Sequence, residues 1–244
     1  GVLAAEASFV NRFFITSVVS GLPYISVKIA QSIDGFIGGQ GVPRWISSLE
    51  SRRLVHTWRS QFDAVLVGVG TVAIDNPSLT VRLVRGRHPD VIVVDGRATL
   101  SATSKLVREL HGRRVFLAFE SKAYGRRKAK IDRLESRGVI PVPIRGRNGR
   151  FQLFDLLREV HRHMISSVLV EGGAGIFTAF RESGLANDEQ IFLAPFRLGG
   201  GIPANLHHPS RPDERNHVTM VRAVGRDTLF SVYYPSQGYV HRDR

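Results

Sequence analysis

Apolar positions along the chain follow two spacings. Short unbroken runs, Ala64-Val65-Leu66-Val67, Val91-Ile92-Val93-Val94, Val115-Phe116-Leu117-Ala118 and Val168-Leu169-Val170, have the length and β-branched content of strands. Tyr24 to Ala30 alternates as a strand should and puts Lys28 on the face opposite Val27 and Ile29. Thr80–Arg82, Val139–Val142 and Glu189–Leu193 also read as strands, and His217–Val224 with Thr228–Tyr234 reads as a hairpin around Gly225-Arg226-Asp227. Helical spacing covers Phe151–Met164, where Leu153, Leu156, Leu157 and Val160 share a face, and Ala123–Ser136, Lys105–Leu110 and Gly175–Ser183. Ser47-x-x-Glu50 reads as a capping box that starts a helix running to about Ser60. Leu3, Val10, Phe13 and Phe14 suit an amphipathic linker helix over residues 1–21, followed by one domain over 22–244. Strands alternating with helices predict an α/β domain, and the terminal hairpin makes its sheet mixed.

Composition narrows the function classes. The chain has 244 residues, enough for one large core, and no cysteine, which excludes disulfides, thiol catalysis, cysteine-ligated zinc and the zinc deaminase signature. No run of 18 apolar residues exists, so no membrane span is expected. The apolar N-terminus lacks a basic start and a cleavage site, which argues against a secretory signal. A start at Gly1 without methionine reads as a processed or excised piece. Formal charge is +13, and residues 105–150 carry fourteen Lys and Arg against four Asp and Glu. That basic stretch reads either as a solvated helix face or as a surface for phosphorylated substrates or nucleic acid. No nucleic-acid motif or aromatic stacking pattern accompanies it, which argues against nucleic acid.

The chemistry is best signalled by two glycine-rich strand ends. Val65-Leu66-Val67 opens into Gly68-Val69-Gly70-Thr71-Val72-Ala73, and Val168-Leu169-Val170 into Glu171-Gly172-Gly173-Ala174-Gly175. Glycines admit close backbone approach, and free N–H groups at a helix start bind anions, so the pair points to a phosphate-bearing cofactor. Gly68-x-Gly70-x-x-Ala73 fits the dinucleotide fingerprint, with Asp95 after the next long strand. Pro77, however, leaves room for only about one helical turn, which argues for another α/β scaffold. Lys28, Glu171, Arg59, Arg82 and Trp45 are candidate site residues, each with a plain structural alternative on a sheet edge, cap, surface or core. His161-x-His163 and His207-His208 lack carboxylate partners and read as surface residues. No G-x-S-x-G elbow, Walker loop or H-E-x-x-H is present.

Taken together, Lys28-Ile29-Ala30-x-Ser32-Ile33-Asp34-Gly35, Trp45-Ile46-Ser47, Val65-Leu66-Val67-Gly68-x-Gly70-Thr71-Val72-x-x-Asp75-x-Pro77-x-Leu79-Thr80-Val81-Arg82 and Leu169-Val170-Glu171-Gly172-Gly173-Ala174 resemble the reductase half of the riboflavin-pathway bifunctional deaminase–reductase family. The resemblance extends from the first residue to about Gly201, and Gly1-Val2-Leu3-x-x-Glu6-Ala7 is similar to the linker after the deaminase half. It implies a dihydrofolate-reductase-like fold: a mixed, mainly parallel sheet flanked by helices, with a C-terminal β-hairpin. It implies NADPH as hydride donor, 5-amino-6-ribosylaminouracil 5′-phosphate as substrate and a homodimer. It also implies a deaminase domain, fused or separate, and the cytoplasm, or a plastid in a plant. Carried over by position, Ala30, Trp45, Thr71, Asp75, Gly96 and the run Gly173, Ala174, Gly175, Ile176, Phe177, Thr178 and Ala179 match cofactor contacts. Pro43, Arg59, Leu79, Arg82 and Glu171 match substrate contacts, and Lys28 matches a lysine near the ribose, as proton donor or ribose-orienting group.

Three departures stand out: Pro43 for a usual serine, Phe36 for a basic residue and Asn76 for an acid. Pro43 motivates one alternative, a same-fold reductase of another pyrimidine or a pterin. The basic stretch motivates another, a non-catalytic domain binding RNA or an acidic partner through residues 105–150.

Overall fold

The computed structural model describes residues 3–39, 45–146, 151–204 and 218–234. Its strands are β1 (Tyr24–Ser32), β2 (Phe36–Gly38), β3 (Ala64–Gly68), β4 (Asp90–Val94), β5 (Val115–Glu120), β6 (Val139–Ile144), β7 (Ser167–Gly172), β8 (Asp188–Ala194), β9 (Ile202–Pro203), β10 (Val218–Val224) and β11 (Asp227–Tyr233). Its helices are α1 (Ala4–Val10), α2 (Arg12–Ser20), α3 (Leu49–Gln61), α4 (Val69–Asp75), α5 (Lys105–Arg108), α6 (Tyr124–Glu135), α7 (Leu153–Arg162) and α8 (Ala174–Ser183). Nine strands form one sheet in the order β10-β11-β8-β1-β7-β3-β4-β5-β6, and β2 pairs with β9. From β8 to β6 all neighbours are parallel, while the hairpin adds two antiparallel strands at the β8 edge. The sheet is therefore mixed and mainly parallel, as the sequence predicts.

Parallel strands covered on both faces need apolar residues in both directions, which is why the unbroken runs form the centre. Ile25, Val27, Ile29, Leu66 and Val170 face a core closed by Leu156, Leu157 and Val160 of α7 and Phe177 and Phe180 of α8. Val65, Val67, Val93, Leu117 and Leu169 face the other way, against Leu106 and Val107 of α5 and Ile131 and Leu134 of α6. Further along that second face, Val55 of α3 packs on Phe192 and Leu229, with Ala30 beside them. Insertion of β7 between β1 and β3 brings three parallel strand ends to one edge, where α/β sheets open a crevice for ligands.

Several local expectations need correction. The N-terminal linker helix is two helices meeting at Asn11; Phe13 docks on Tyr24 and Phe62, while Leu3, Val10 and Phe14 stay exposed. The cap of α3 is Ser48, whose side chain accepts from the Ser51 N–H, so the capping box over Ser47 and Glu50 does not form. Thr80–Arg82 is not a strand, because β3 is already flanked by β7 and β4 and offers no free edge. The two-residue β9 carries no sequence signal of its own.

Candidate active site

Lys28 of β1 and Glu171 of β7 meet on the sheet face beneath α3, with Lys28 Nζ 4.0 Å from Glu171 Oε2. The register explains the meeting, since Val27 pairs with Val170 one residue earlier on each strand. On its other side β7 shifts register against β3, Leu66 pairing with Val170 but Val67 with Gly172. Glu171 is the extra residue at that irregularity, a device that re-aims a side chain at a sheet's end.

Arg59 of α3 reaches down and grips the carboxylate with both arms, Nε donating to Oε1 at 2.6 Å and Nη2 to Oε2 at 2.7 Å. All three side chains are largely buried. Burial pushes the Glu171 carboxyl up, but the Arg59 charge and its hydrogen bonds, helped by Lys28, outweigh it and hold it below its ordinary value. Burial lowers the Lys28 ammonium below its usual value; Glu171 opposes the shift and Arg59 adds to it. The result is a buried cation that releases its proton more readily than an exposed lysine.

The segment Ser78 to Arg82 lies across the same site. Leu79, Thr80 and Val81 are buried, and Leu79 has a φ of 52°. The Leu79 side chain sits in the second core, so only its main chain can face a ligand. Arg82 is exposed, and its Nη1 donates to Thr80 Oγ1 at 3.0 Å. His56 of α3 accepts the Arg82 N–H on Nδ1 at 2.9 Å. Its position one helical turn before Arg59 was the available signal for a residue that sequence reasoning missed.

The two glycine-rich turns meet beside this cluster. A Cβ at Gly172 would lie 3.0 Å from Thr71 Oγ1, one at Gly173 3.3 Å from the same atom, and one at Gly68 3.0 Å from Ile176 Cγ1. Gly173 caps α8 with a φ of 92°, a conformation that favours glycine. A Cβ at Gly70 or Gly175 would meet nothing within 4 Å, so protein packing does not explain those glycines. The Ile176 and Phe177 N–H groups both go to the Gly173 carbonyl. Those of Ala174 and Gly175 have no acceptor among the described residues, and α8 lacks a side-chain cap. Phe177 is core, and Ile176 and Ala179 pack against it, while Thr178 is half-buried, so this run offers a ligand mainly its first turn.

Beyond Gly70 a cleft of about 560 Å³ runs along α4 to the 97–104 loop, lined by Arg97, Thr99, Ser101 and Thr103 among others. Asp95 does not reach into it as the fingerprint reading requires. It is buried, and its carboxylate accepts from the Thr99 and Leu100 N–H groups and from Thr99 Oγ1, shaping the loop. Gly96 stands beside Glu120, whose Oε1 would be 3.7 Å from a Cβ there. Helix α4 runs seven residues and stops at Asn76, whose left-handed φ of 40° suits asparagine, and Asn76 Oδ1 accepts from the Lys105 N–H at 2.8 Å. Asp75, at the end of α4, is exposed.

The structure thus brings Lys28, Arg59, Leu79, Arg82 and Glu171 into one cluster and Thr71 against Gly173 beside it. Ala30 lies one residue pair beyond Lys28 on β1, half-buried. Trp45 is half-exposed with the Arg52 guanidinium 4.7 Å over its ring. Pro43, His207 and His208 lie outside the described residues. His161 bonds Ser17 Oγ at 2.8 Å, a contact between helices α7 and α2.

Fold and site together define a dihydrofolate-reductase-like α/β domain. The chain belongs to the RibD C-terminal domain family, whose model matches residues 23–230. It is 32% identical over 201 residues to the riboflavin biosynthesis protein RibD of Actinobacillus pleuropneumoniae, across 82% of this chain and 52% of that protein. The RibD of Bacillus amyloliquefaciens is 31% identical over 208 residues, across 84% and 54%. The chain therefore spans about half the length of the curated relatives it matches. Among solved structures, a diaminohydroxyphosphoribosylaminopyrimidine deaminase/5-amino-6-(5-phosphoribosylamino)uracil reductase from Thermotoga maritima superimposes with a TM-score of 0.76 at 29% identity, covering 96% of this chain and 63% of that one.

Proposed function

We propose that this domain reduces 5-amino-6-ribosylaminouracil 5′-phosphate to its ribityl product with NADPH, in riboflavin biosynthesis. The observation that carries the reading is the buried Lys28 ammonium beside the Arg59–Glu171 pair, at the strand edge where two glycine turns converge. The cofactor fits what is present: unfilled space at Gly70 and Gly175, unpaired N–H groups at the start of α8, and a cleft with Arg97 and hydroxyls at its far end. Gly173 to Gly175 would hold its diphosphate, Thr71 would lie beside it, and Arg97 with Ser101 and Thr103 would receive a 2′-phosphate. NADPH supplies the hydride when bound.

The chain's own residues do the rest. Lys28 holds a proton at Nζ for the acceptor nitrogen or oxygen of the ring-opened ribose, and burial, which lowers its pKa, makes that proton easier to give up. Glu171 keeps that ammonium in place, and Arg59 fixes Glu171 so that the carboxylate does not swing to the substrate. Arg82 stands exposed at the rim as the cation for the substrate's phosphate. A homodimer and a deaminase, fused or separate, complete the reading; the Thermotoga protein named above is a deaminase as well as a reductase. Among the described residues no helix is long and apolar enough to cross a membrane.

The test is NADPH oxidation with the deaminated ribosylaminopyrimidine phosphate as acceptor and the diamino compound alongside. Turnover of the deaminated compound is expected. NADPH binding without turnover of either compound would transfer the site to another pyrimidine or a pterin. Loss of both binding and turnover would overturn the assignment.

A further inference from the structure

From Pro77 to Pro89 no main-chain group bonds to another main-chain group among the described residues. Yet Leu79, Thr80 and Val81 are buried, and buried backbone groups left unpaired are costly. Side chains take over. Arg113 donates through Nη1 to the Leu79 carbonyl at 2.9 Å and through Nη2 to the Ser78 carbonyl. Arg59 Nη1 donates to the Thr80 carbonyl at 3.2 Å. Two histidines accept the next two amides: His88 Nδ1 that of Val81 at 3.1 Å, and His56 Nδ1 that of Arg82 at 2.9 Å.

We propose that His56, His88 and Arg113 are positioning residues that hold the Ser78–Arg82 strap, and with it Leu79 and Arg82, against the pyrimidine site. The role rests on Leu79 and Arg82 facing the substrate. It requires each histidine to keep Nδ1 bare, since an imidazolium has no acceptor. The surroundings enforce this. Burial lowers His56 to about 4, with Arg59 and Arg52 of its own helix and Arg82 of the strap adding, and Glu171 of β7 opposing. Burial also lowers His88, with Arg113, His111 and Arg82 adding. Arg113 is 7% exposed and is lowered to about 10, mainly by burial and by Arg59, against Asp90 and Glu109. It stays charged at neutral pH and able to donate.

Two substitutions separate the acceptor from mere bulk. His56→Leu removes the acceptor, while His56→Asn restores one through its side-chain oxygen. The readouts are hydrogen exchange of the Arg82 amide and the two KM values. For His56→Leu, Arg82 exchange should speed by about tenfold or more and the pyrimidine KM should rise by a similar factor, with the NADPH KM unchanged. His56→Asn should return both toward wild type. An Arg82 amide that stays protected in His56→Leu, or an Asn variant that behaves like Leu, overturns the proposal. Faster exchange rescued by Asn, with an unchanged pyrimidine KM, upholds the strap and overturns its substrate-facing role instead. Should His56→Leu fail to fold, the ¹⁵N signal of His56 Nδ1 in the wild-type protein decides. A bare nitrogen from neutral pH down to about 4 is expected, and a protonated one at neutral pH overturns the proposal.

Discussion

The two sides of the candidate site are built from different materials. On the side proposed for the cofactor, the ends of β3 and β7 and the first turns of α4 and α8 present main-chain N–H groups on regular elements, with glycines where a side chain would intrude. On the side proposed for the pyrimidine, side chains from α3 and the segments before β4 and β5 clamp an irregular strap, and Lys28 of β1 and Glu171 of β7 form an ion pair on Arg59 beside it. A site made of backbone is specified by shape and tolerates many surrounding sequences. One made of buried ionic side chains is exacting, because removing one partner leaves another charge or carbonyl stranded.

The difference predicts which substitutions do what. Lys28→Met should have the largest effect, lowering kcat by about 10²–10⁴-fold with the NADPH KM unchanged in steady-state assays. A modest loss would remove Lys28 as proton source and leave it a ribose-orienting group. Arg113→Met should come next, stranding the Ser78 and Leu79 carbonyls at a cost of about 1–3 kcal/mol in denaturant unfolding and raising the pyrimidine KM. Arg97→Ala should raise the NADPH KM by about tenfold while leaving NADH kinetics as they were, which sharpens the division by confining the effect to the cofactor side.

The smallest effect is on the pH dependence of stability. Unfolded His56 takes up its proton near 6.5, the folded residue only near about 4. Between those values the unfolded state binds a proton that the folded state refuses, so His56 makes stability fall as pH drops across that window. His56→Asn should flatten that part of the curve. Glu171 is held below its ordinary value in the folded state, against burial, by Arg59 and Lys28 with a smaller part from His56, so its contribution is lost at the acid end and the substitution should trim it only slightly.

Legibility in the sequence follows the same division. The glycine-rich strand ends, the buried strands and the terminal hairpin all announce themselves through local pattern, and Pro77 correctly limits α4 to a short helix. The strap does not. Thr80 and Val81 have strand-like side chains, but β3 has no free edge, and the partners of Ser78, Leu79, Val81 and Arg82 lie before and after them in the chain, at His56, His88 and Arg113. No spacing rule connects such residues. Asp95 fails in the opposite direction: its place after β4 matches a ribose-binding acid, yet buried amides of the next turn consume its carboxylate. Glu171 and Arg59 were both legible as site residues, but their bidentate pairing was not, because it depends on how α3 crosses the sheet.

The basic stretch also resolves into parts. Arg126, Arg127, Lys128 and Arg133 are exposed on α6, while Lys130 Nζ and Arg137 Nη1 donate to the Thr99 and Ala102 carbonyls of the loop beside the cleft. Some of the charge therefore braces the cofactor side and is not a free surface.

The most direct test of the division of labour compares Glu171→Gln with Gly173→Val, measuring NADPH affinity by fluorescence and turnover at saturating NADPH. Glu171→Gln should bind NADPH like wild type and lose turnover by about a hundredfold or more. Gly173→Val, forced to place a β-branched residue at a φ of 92°, should bind NADPH weakly and turn over near the wild-type rate once saturated. Wild-type turnover in Glu171→Gln, or an equal loss of both properties in both variants, would contradict the account.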